Sequence, residues 1–314
     1  MNIVVLGQTD IKVSQLCFGS LTLGPLQRNL PLNTGVSVIN AAIEAGINFI
    51  DTAETYGTYQ YIKKALEIKS DLVISTKSYA YTKKMAEESL TTALKSINRD
   101  YIDIFMLHEQ ESIYTLQGHW EALEYYLKQK KLGYIRAVGI STHRIAGVRA
   151  CINYDEIDVV HPIINLYGIG IEDGPLEEME SAIKDAHNAG KGIIAMKPLG
   201  GGHLIPNTNR AFNYILSLPF IDSIAVGMQN KYEVSYNAKF FSGEAIESEI
   251  ISHLSKIKRK LIIHDWCEGC GKCIDACSHG ALYMIENKTY VIEEKCILCG
   301  YCARNCPNFC IKVI

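Results

Sequence analysis

Short apolar segments alternate with longer amphipathic segments from residue 2 to residue 241. Residues 2–18 have the pattern of two short strands around Gln8-Thr9-Asp10, which is typical of a hairpin that closes one end of a barrel. Helical spacing runs from Asn33 to Gly46, before a strand at Phe49. The pattern then predicts helices at 58–69, 82–98, 116–131, 144–153, 176–189, 208–217 and 231–241, and strands at 71–76, 101–107, 135–140, 159–165, 192–196 and 221–226. Because strands joined by right-handed crossovers lie parallel, this alternation predicts an α/β fold, a (β/α)8 barrel.

Ionisable residues follow the ends of three successive predicted strands. Asp51 ends the strand at Phe49, and Tyr56 lies in the loop that follows. Lys77 ends the next predicted strand, and His108 ends the one after that. The carboxyl ends of parallel barrel strands meet at one rim, where barrel enzymes carry their active sites. The sequence therefore predicts an active site at this rim.

These four side chains suggest a proton-transfer mechanism. A phenol is a weak acid, but an ammonium group beside it favours the phenolate, so we expect Lys77 to lower the pKa of Tyr56. Asp51 would keep Lys77 charged and in place. Tyr56 would then protonate a carbonyl oxygen as hydride reaches its carbon, while neutral His108 donates a hydrogen bond to that oxygen. Taken singly, Asp51 or Lys77 is more typical of an ion pair and His108 of a hydrogen-bonded rim histidine.

The order and spacing of Asp51, Tyr56, Lys77 and His108 resemble the catalytic tetrad of the aldo-keto reductases. The resemblance covers residues 1–243, including the opening segment Leu6–Gly19 and the loop Met196–Gly202. It implies a TIM barrel whose substrate is a small aldehyde, ketone or alcohol and whose hydride comes from a nicotinamide cofactor.

Polar groups and glycines also end the later strands, and by the same resemblance they are expected to bind the cofactor. The residues concerned are Ser141, Thr142, Asn165, Lys197, Leu199, Gly200, Gly227 and Asn237. The chain departs from the family pattern at three places: Thr142 stands where Asn is usual, Asn165 where Gln is usual, and Met196 or Lys197 where many members have a stacking tyrosine.

The segment Gly227–Asn237 bears on cofactor choice. In this family basic groups there hold the 2′-phosphate of NADPH, and arginine does so best. This chain has Glu233 near the usual arginine and only Lys231 as a base. A carboxylate would repel phosphate, so NADH is the expected cofactor, with NADPH or the flavin FMN as alternatives.

Length, charge and apolar runs limit the class of protein. The chain has 314 residues, which fits one barrel plus a small appendage, and its net charge of -3 gives no reason to expect nucleic acid as a partner. No basic segment with a following apolar region opens the chain, and no apolar run approaches ~20 residues. We therefore expect a cytoplasmic protein without a membrane partner.

Nine of the eleven cysteines fall after residue 266. Eight of them form two CxxCxxCxxxC runs: Cys267, Cys270, Cys273 and Cys277, then Cys296, Cys299, Cys302 and Cys306. This spacing predicts two [4Fe-4S] clusters, each with three ligands from one run and one from the other. Structural zinc is the alternative that eight such cysteines disfavour.

The same runs resemble bacterial two-cluster ferredoxins. The resemblance implies that Cys306 completes the cluster of the first run and Cys277 that of the second. Ser278 replaces the proline usual after the fourth cysteine. Cys17, Cys151 and Cys310 match no ligand position and are expected to be buried thiols.

Three units are therefore expected: a barrel at 1–243, a linking helix at 244–260 (helix 246–260) and a ferredoxin-like α+β domain at 261–314. The last unit is expected to cover the tetrad rim; a flexibly tethered ferredoxin is the alternative. The leading functional hypothesis is a carbonyl reductase whose clusters exchange electrons with an external ferredoxin-type carrier. The alternatives are a flavin-dependent, ferredoxin-coupled oxidoreductase, and an electron-carrier or redox-sensing subunit without carbonyl turnover.

Overall fold

A closed eight-stranded parallel barrel forms most of the structure, a computed structural model that describes residues 1–314. An antiparallel hairpin of β1 (Ile3–Val5) and β2 (Lys12–Ser14) precedes it. The barrel strands are β3 (Leu16–Gly19), β4 (Phe49–Asp51), β5 (Val73–Ser78), β6 (Ile102–Leu107), β7 (Ile135–Thr142), β8 (Val159–Pro162), β9 (Gly192–Met196) and β10 (Ser223–Gly227). The predicted fold class is confirmed.

One boundary differs from the sequence prediction. Residues 2–18 were expected to form only the hairpin, but its second strand ends at Ser14, and β3 begins at Leu16 as the first barrel strand between β10 and β4. A single residue separates the two strands, so the apolar pattern does not reveal the break.

The barrel strands pack against an outer layer of helices. These are α1 (Leu32–Glu44), α2 (Tyr59–Ile68), α3 (Lys83–Ile97), α4 (Ile113–Gly118), α5 (Trp120–Lys131), α6 (Ile145–Ile152), α7 (Leu176–Asn188), α8 (Thr208–Leu216) and α9 (Lys231–Phe241). Gly46, which was predicted to end the first helix before the Phe49 strand, has a φ of +87° in the turn after α1. The helix expected at 116–131 begins earlier and breaks at His119 into α4 and α5.

The inner barrel core has a period of two along each strand. Phe49, Val73, Met106 and Val159 all belong to one buried cluster inside the barrel, which the hairpin residue Leu6 also joins. Side chains two residues further along point to the same side. The next inward-facing side chain after each of these therefore lies above the apolar core, at the upper rim.

The C-terminal segment has a ferredoxin-like α+β arrangement. After α10 (Ser248–Ser255), β11 (Leu261–Ile263) pairs with the terminal strand, β14 (Ile311–Val313). Between them lie α11 (Lys272–Asp275), the hairpin β12 (Leu282–Ile285) and β13 (Lys288–Val291), and α12 (Tyr301–Arg304). The linking helix is shorter than the expected 246–260, since it ends at Ser255. No helix is both long and apolar enough to cross a bilayer.

The terminal residues of this segment pack on the upper rim of the barrel. Phe309, Ile311 and Val313 are each less than a tenth exposed. The Nε2 of His203, in the loop after β9, is 3.0 Å from the backbone oxygen of Ile311. The barrel backbone at Gly202 lies close to the backbone of Val313, so a Cβ added at Gly202 would overlap the Val313 carbonyl oxygen. These contacts favour a docked segment over a flexibly tethered one.

Gly202 therefore offers a test of this docking. We expect Gly202→Ala to destabilise the protein by about 1–3 kcal/mol more than Gly133→Ala, because only the first adds a clash. Both glycines have φ above +80°, and nothing lies within 4 Å of a Cβ at Gly133. The readouts are the unfolding midpoint and hydrogen exchange at residues 309–314. Equal effects of the two variants would contradict the docked arrangement.

Candidate active site

A buried ion pair joins the ends of β4 and β5. The Lys77 Nζ lies 2.8 Å from both carboxylate oxygens of Asp51 and donates its remaining hydrogen bond to the Thr52 carbonyl oxygen at 2.8 Å. Ser75 adds a hydroxyl hydrogen bond of 2.6 Å to Asp51. Burial alone would raise the pKa of Asp51, but the charges of Lys77 and His161 outweigh it and hold that pKa far below its usual range. Asp51 is therefore ionised at neutral pH.

Tyr56 and His108 lie beside this ion pair. Tyr56 ends a short 3-10 turn after β4, and its ring lies 5.0 Å from the Lys77 Nζ and 5.9 Å from the His108 ring. Tyr79 stacks on the other side of His108 at 4.4 Å. The structure thus brings together all four residues of the predicted tetrad.

The pKa of Tyr56 departs from the expectation that it would be lowered beside Lys77. Burial raises this pKa, and the charges of Asp51 and Glu109 raise it further. The hydrogen bonds of Lys77 go to Asp51 and Thr52, and none goes to the Tyr56 hydroxyl. The phenol therefore keeps its proton at neutral pH.

His108 has the protonation state that was predicted. Burial lowers its pKa well below the usual value, and the nearby Lys77 charge lowers it further. Its Nδ1 is buried without a hydrogen-bond partner. A neutral imidazole beside the Tyr56 phenol suits hydrogen bonding to a substrate oxygen.

His161 is a site residue that the sequence interpretation missed. Its Nδ1 donates to the carbonyl oxygen of Ile194 at 2.5 Å, and its Nε2 lies 3.7 Å from an Asp51 oxygen. It is 1% exposed and borders the same cleft as Tyr56. The signal was available: His161 follows the inward-facing Val159 by two residues, just as Asp51 follows Phe49.

A cleft of about 790 Å³ runs from Asp51 and Tyr56 across the ends of β9 and β10 to Arg259. Four of the predicted cofactor-binding residues line it: Lys197, Leu199, Gly227 and Asn237. The neighbouring Gly201 and Gly202 line it as well. The cleft is long and partly apolar, as a dinucleotide site requires.

The other four predicted cofactor residues are placed differently. Gly200, Ser141, Thr142 and Asn165 are not part of the cleft wall. Ser141 accepts the Glu109 backbone N–H, and Thr142 accepts that of Arg144. Asn165 bonds both the N–H and the carbonyl of Ile169. Thr142 and Asn165 thus stabilise the turns after their own strands, whereas Ser141 ties the loop after β6 to β7.

The Glu233 carboxylate, expected to repel a phosphate, is neutralised. It lies 2.8 Å from the Arg259 guanidinium and accepts the Gln229 backbone N–H at 2.8 Å. Arg259 comes from the segment after α10, so spacing along α9 could not reveal the pair. Both residues and Arg210 line the far end of the cleft.

The cysteines of the C-terminal segment surround two small cavities. Cys267, Cys270, Cys273, Cys306 and also Cys310 line the first, and Cys277, Cys296, Cys299 and Cys302 line the second. Cys310 aside, each cavity combines three thiols of one run with one of the other, the arrangement of a ferredoxin cubane. Two runs of four cysteines that share their ligands in this way fit cubane clusters better than zinc.

Comparison with known proteins agrees with this geometry. The model of the aldo/keto reductase family matches residues 15–215, nearly two thirds of the chain. The chain belongs to the aldo/keto reductase family. A 4Fe-4S dicluster domain matches residues 266–310, so this aldo/keto reductase carries an iron-sulfur domain at its C-terminal end. The family uses a nicotinamide cofactor and small carbonyl substrates.

Individual relatives are distant. The chain is 23% identical to the uncharacterized oxidoreductase YqkF of Bacillus subtilis over 300 residues, covering 79% of this chain and 94% of that protein. It is 27% identical to L-galactose dehydrogenase of Arabidopsis thaliana, covering 63% of this chain and 66% of that one.

Solved structures agree on the fold. A putative aldo-keto reductase from Pseudomonas aeruginosa superposes with a TM-score of 0.67 at 22% identity, covering 77% of this chain and 95% of that one. An aldo-keto reductase from Bacillus halodurans superposes with a TM-score of 0.66 at 21% sequence identity. That match covers 82% of this chain and 96% of the other.

The cavity linings lead to a test of the cluster ligands. We propose that Cys306 holds the first cluster and that Cys310, whose Sγ lies 3.3 Å from that of Cys306, does not. Cys306→Ser should lose about half of the iron and acid-labile sulfide of an anaerobic preparation, because a cubane needs all four thiolates. Cys310→Ser, the matched control, should keep the full content. Iron loss in Cys310→Ser but not in Cys306→Ser would reverse the assignment.

Proposed function

We propose that this aldo/keto reductase interconverts a carbonyl compound and an alcohol, with Tyr56 as the general acid and base. The observation that carries the proposal is the gathering of Asp51, Tyr56, Lys77 and His108 around one end of the cleft. Of the two tyrosines beside His108, Tyr56 lines the cleft, whereas the Tyr79 hydroxyl donates to Glu109.

The protein groups divide the work of proton transfer. His108 hydrogen-bonds the substrate oxygen and holds it near the Tyr56 hydroxyl. Tyr56 keeps its proton until negative charge develops on that oxygen and then donates it, because an alkoxide is far more basic than a phenolate. The Lys77 ammonium, fixed by Asp51, then stabilises the resulting phenolate. A nicotinamide cofactor, when bound, supplies the hydride.

The cleft supports a nicotinamide cofactor lying along Leu199, Gly201, Gly227 and Asn237. We propose NADH as the nicotinamide cofactor, because the arginine nearest the expected 2′-phosphate site has a protein partner. The Arg259 guanidinium is already engaged by Glu233 and would have to exchange that partner to hold a 2′-phosphate. Arg210 is the other arginine in this part of the cleft wall.

The C-terminal segment is proposed to connect the cleft with an external ferredoxin-type carrier. Leu298, between two cysteines of the second run, lines the cleft, so the second cysteine cavity adjoins it. Cys270 and Cys299 are exposed, so each cavity also reaches the protein surface. Clusters held there would supply one-electron transfer. We propose the units 1–243, 244–260 and 261–314 as the domains that perform these two tasks.

One observation favours a second candidate, a flavin-dependent, ferredoxin-coupled oxidoreductase. Ser141 and Asn165, the family positions that hold the nicotinamide amide, have side chains committed to backbone groups. A flavin would also join two-electron and one-electron steps. Flavin released by acid from protein expressed anaerobically with added flavin would support this candidate, and its absence would remove it.

Replacing Tyr56 tests the proposed function. We expect Tyr56→Phe to lower kcat/KM for carbonyl reduction by about 10²–10⁴-fold, the usual contribution of a general acid. Tyr59→Phe is the matched control: its hydroxyl is buried against Thr76 at 2.9 Å, and it does not line the cleft. Reduction of the clusters by dithionite should be equal in both variants.

The result also separates the hypotheses. Unchanged turnover in Tyr56→Phe would refute the role of this residue. A wild-type protein that reduces its clusters but turns over no aldehyde or ketone would favour an electron-carrier or redox-sensing subunit.

A further inference from the structure

Lys312 is a buried amine without a hydrogen-bond partner in the protein. Burial lowers its pKa well below the usual value, the charge of Lys197 lowers it further, and the Cys306 thiol acts in the opposite direction. Lys312 lies on β14, at the end of the iron-sulfur segment, and its side chain is 6% exposed overall and borders the cleft that holds Tyr56. No hydrogen bond or ion pair joins its amine to the protein; its nearest described contact is the face of Phe309, 2.8 Å from the ring centroid. A buried polar group without a hydrogen-bond partner is costly, and an anion bound beside this amine would favour its protonated form.

Lys197, at the end of β9, lies beside it. Its ammonium is 5.0 Å from the centroid of the same Phe309 ring and donates to the Nε2 of His143 at 2.5 Å. The family pattern often has an aromatic residue near this position. Burial lowers the pKa of Lys197 to about 8, so it is largely protonated at neutral pH. One amine from each domain therefore contacts the same ring, and both lysines line the cleft.

The carboxylates nearby are committed elsewhere. Glu109 accepts the Tyr79 hydroxyl at 2.8 Å, and Glu172 pairs with Arg144 at 2.9 Å. Neither comes within 4.0 Å of either lysine amine, although their charges are felt at Lys197. An oxyanion entering the cleft would therefore meet two amines that form no ion pair with a carboxylate of the protein.

We propose that Lys312 and Lys197 form an anion-binding subsite that holds the carboxylate of the substrate, so that the enzyme acts on oxo acids and the corresponding hydroxy acids. This inference rests on the proposed carbonyl chemistry at Tyr56. The alternative source of an oxyanion is the cofactor pyrophosphate. The substrate is favoured because Lys197 follows β9, the neighbour of β8, whose His161 lies 3.7 Å from Asp51, and because its charge acts on His108.

The subsite would tie substrate choice to the iron-sulfur segment. Lys312 reaches the cleft only because β14 docks over Gly201, where an added Cβ would meet both Lys312 and Phe309. A barrel without this segment would have Lys197 alone. Recognition of an acid thus depends on correct docking of the second domain.

The experiment compares a series of 2-, 3- and 4-oxo carboxylates with their methyl esters. Holoprotein saturated with oxidised cofactor is used in a Tyr56→Phe background, so dissociation constants are measured without turnover. At least one acid should bind about 10-fold to 100-fold more tightly than its ester, the worth of a hydrogen bond to a charged group. Lys312→Met should abolish this preference and Lys312→Arg should largely keep it. Lys95→Met, on an exposed face of α3, is the control that should leave it unaltered.

Each other outcome overturns the inference. Equal binding of acid and ester, or binding of neither across the series, excludes a carboxylate subsite. If Lys312→Met weakens the cofactor and not the acid, Lys312 serves the pyrophosphate. Lys197→Met repeats the test should Lys312→Met fail to fold. Wild-type turnover of the esters alone would uphold the carbonyl chemistry and refute the subsite, whereas acid binding without any turnover would uphold the subsite and refute the chemistry.

Discussion

The buried ion pair between Asp51 and Lys77 is the interaction on which the active site depends. Removing one partner of such a pair ordinarily costs about 3–5 kcal/mol, since the other charge is left without compensation. Here both charges are fully satisfied, by each other and by Ser75 and the Thr52 carbonyl oxygen. The barrel makes this possible because β4 and β5 are neighbours in register, with Asp51 beside Ser75. All three hydrogen bonds of the Lys77 ammonium go to Asp51 and Thr52, so the ammonium is held in place beside the protonated Tyr56 phenol.

The iron-sulfur segment is the second constraint on the site. It is held to the rim by close backbone packing at Gly202 and by His203, and it adds Leu298 and Lys312 to the cleft wall. The far end of the cleft is closed by the linking segment through Arg259. The cleft is thus built from both domains, and its chemistry cannot be assigned to the barrel alone.

The sequence predicted those features that have a local signature. Periods of two and 3.6 residues identified the barrel, strand ends located the tetrad, and cysteine spacing matched the two cavities. It did not predict features that depend on distant contacts. Lys312 and Arg259 reach the cleft from after the barrel, so no spacing rule connects them with Lys197 or Glu233. Asn165 was expected at the cofactor, but the loop backbone after β8 engages its side chain.

The state of Tyr56 tests this account most directly. The chain has 18 tyrosines, so the Tyr56 signal of protein labelled with ¹³C at tyrosine Cζ can be assigned by its loss in Tyr56→Phe. In the purified chain without added nucleotide, we expect this signal to stay in its protonated position through pH ~10, where a free tyrosine is half ionised. A titration midpoint near neutral pH would contradict the account, because it would mean that Lys77 ionises the phenol before any substrate arrives.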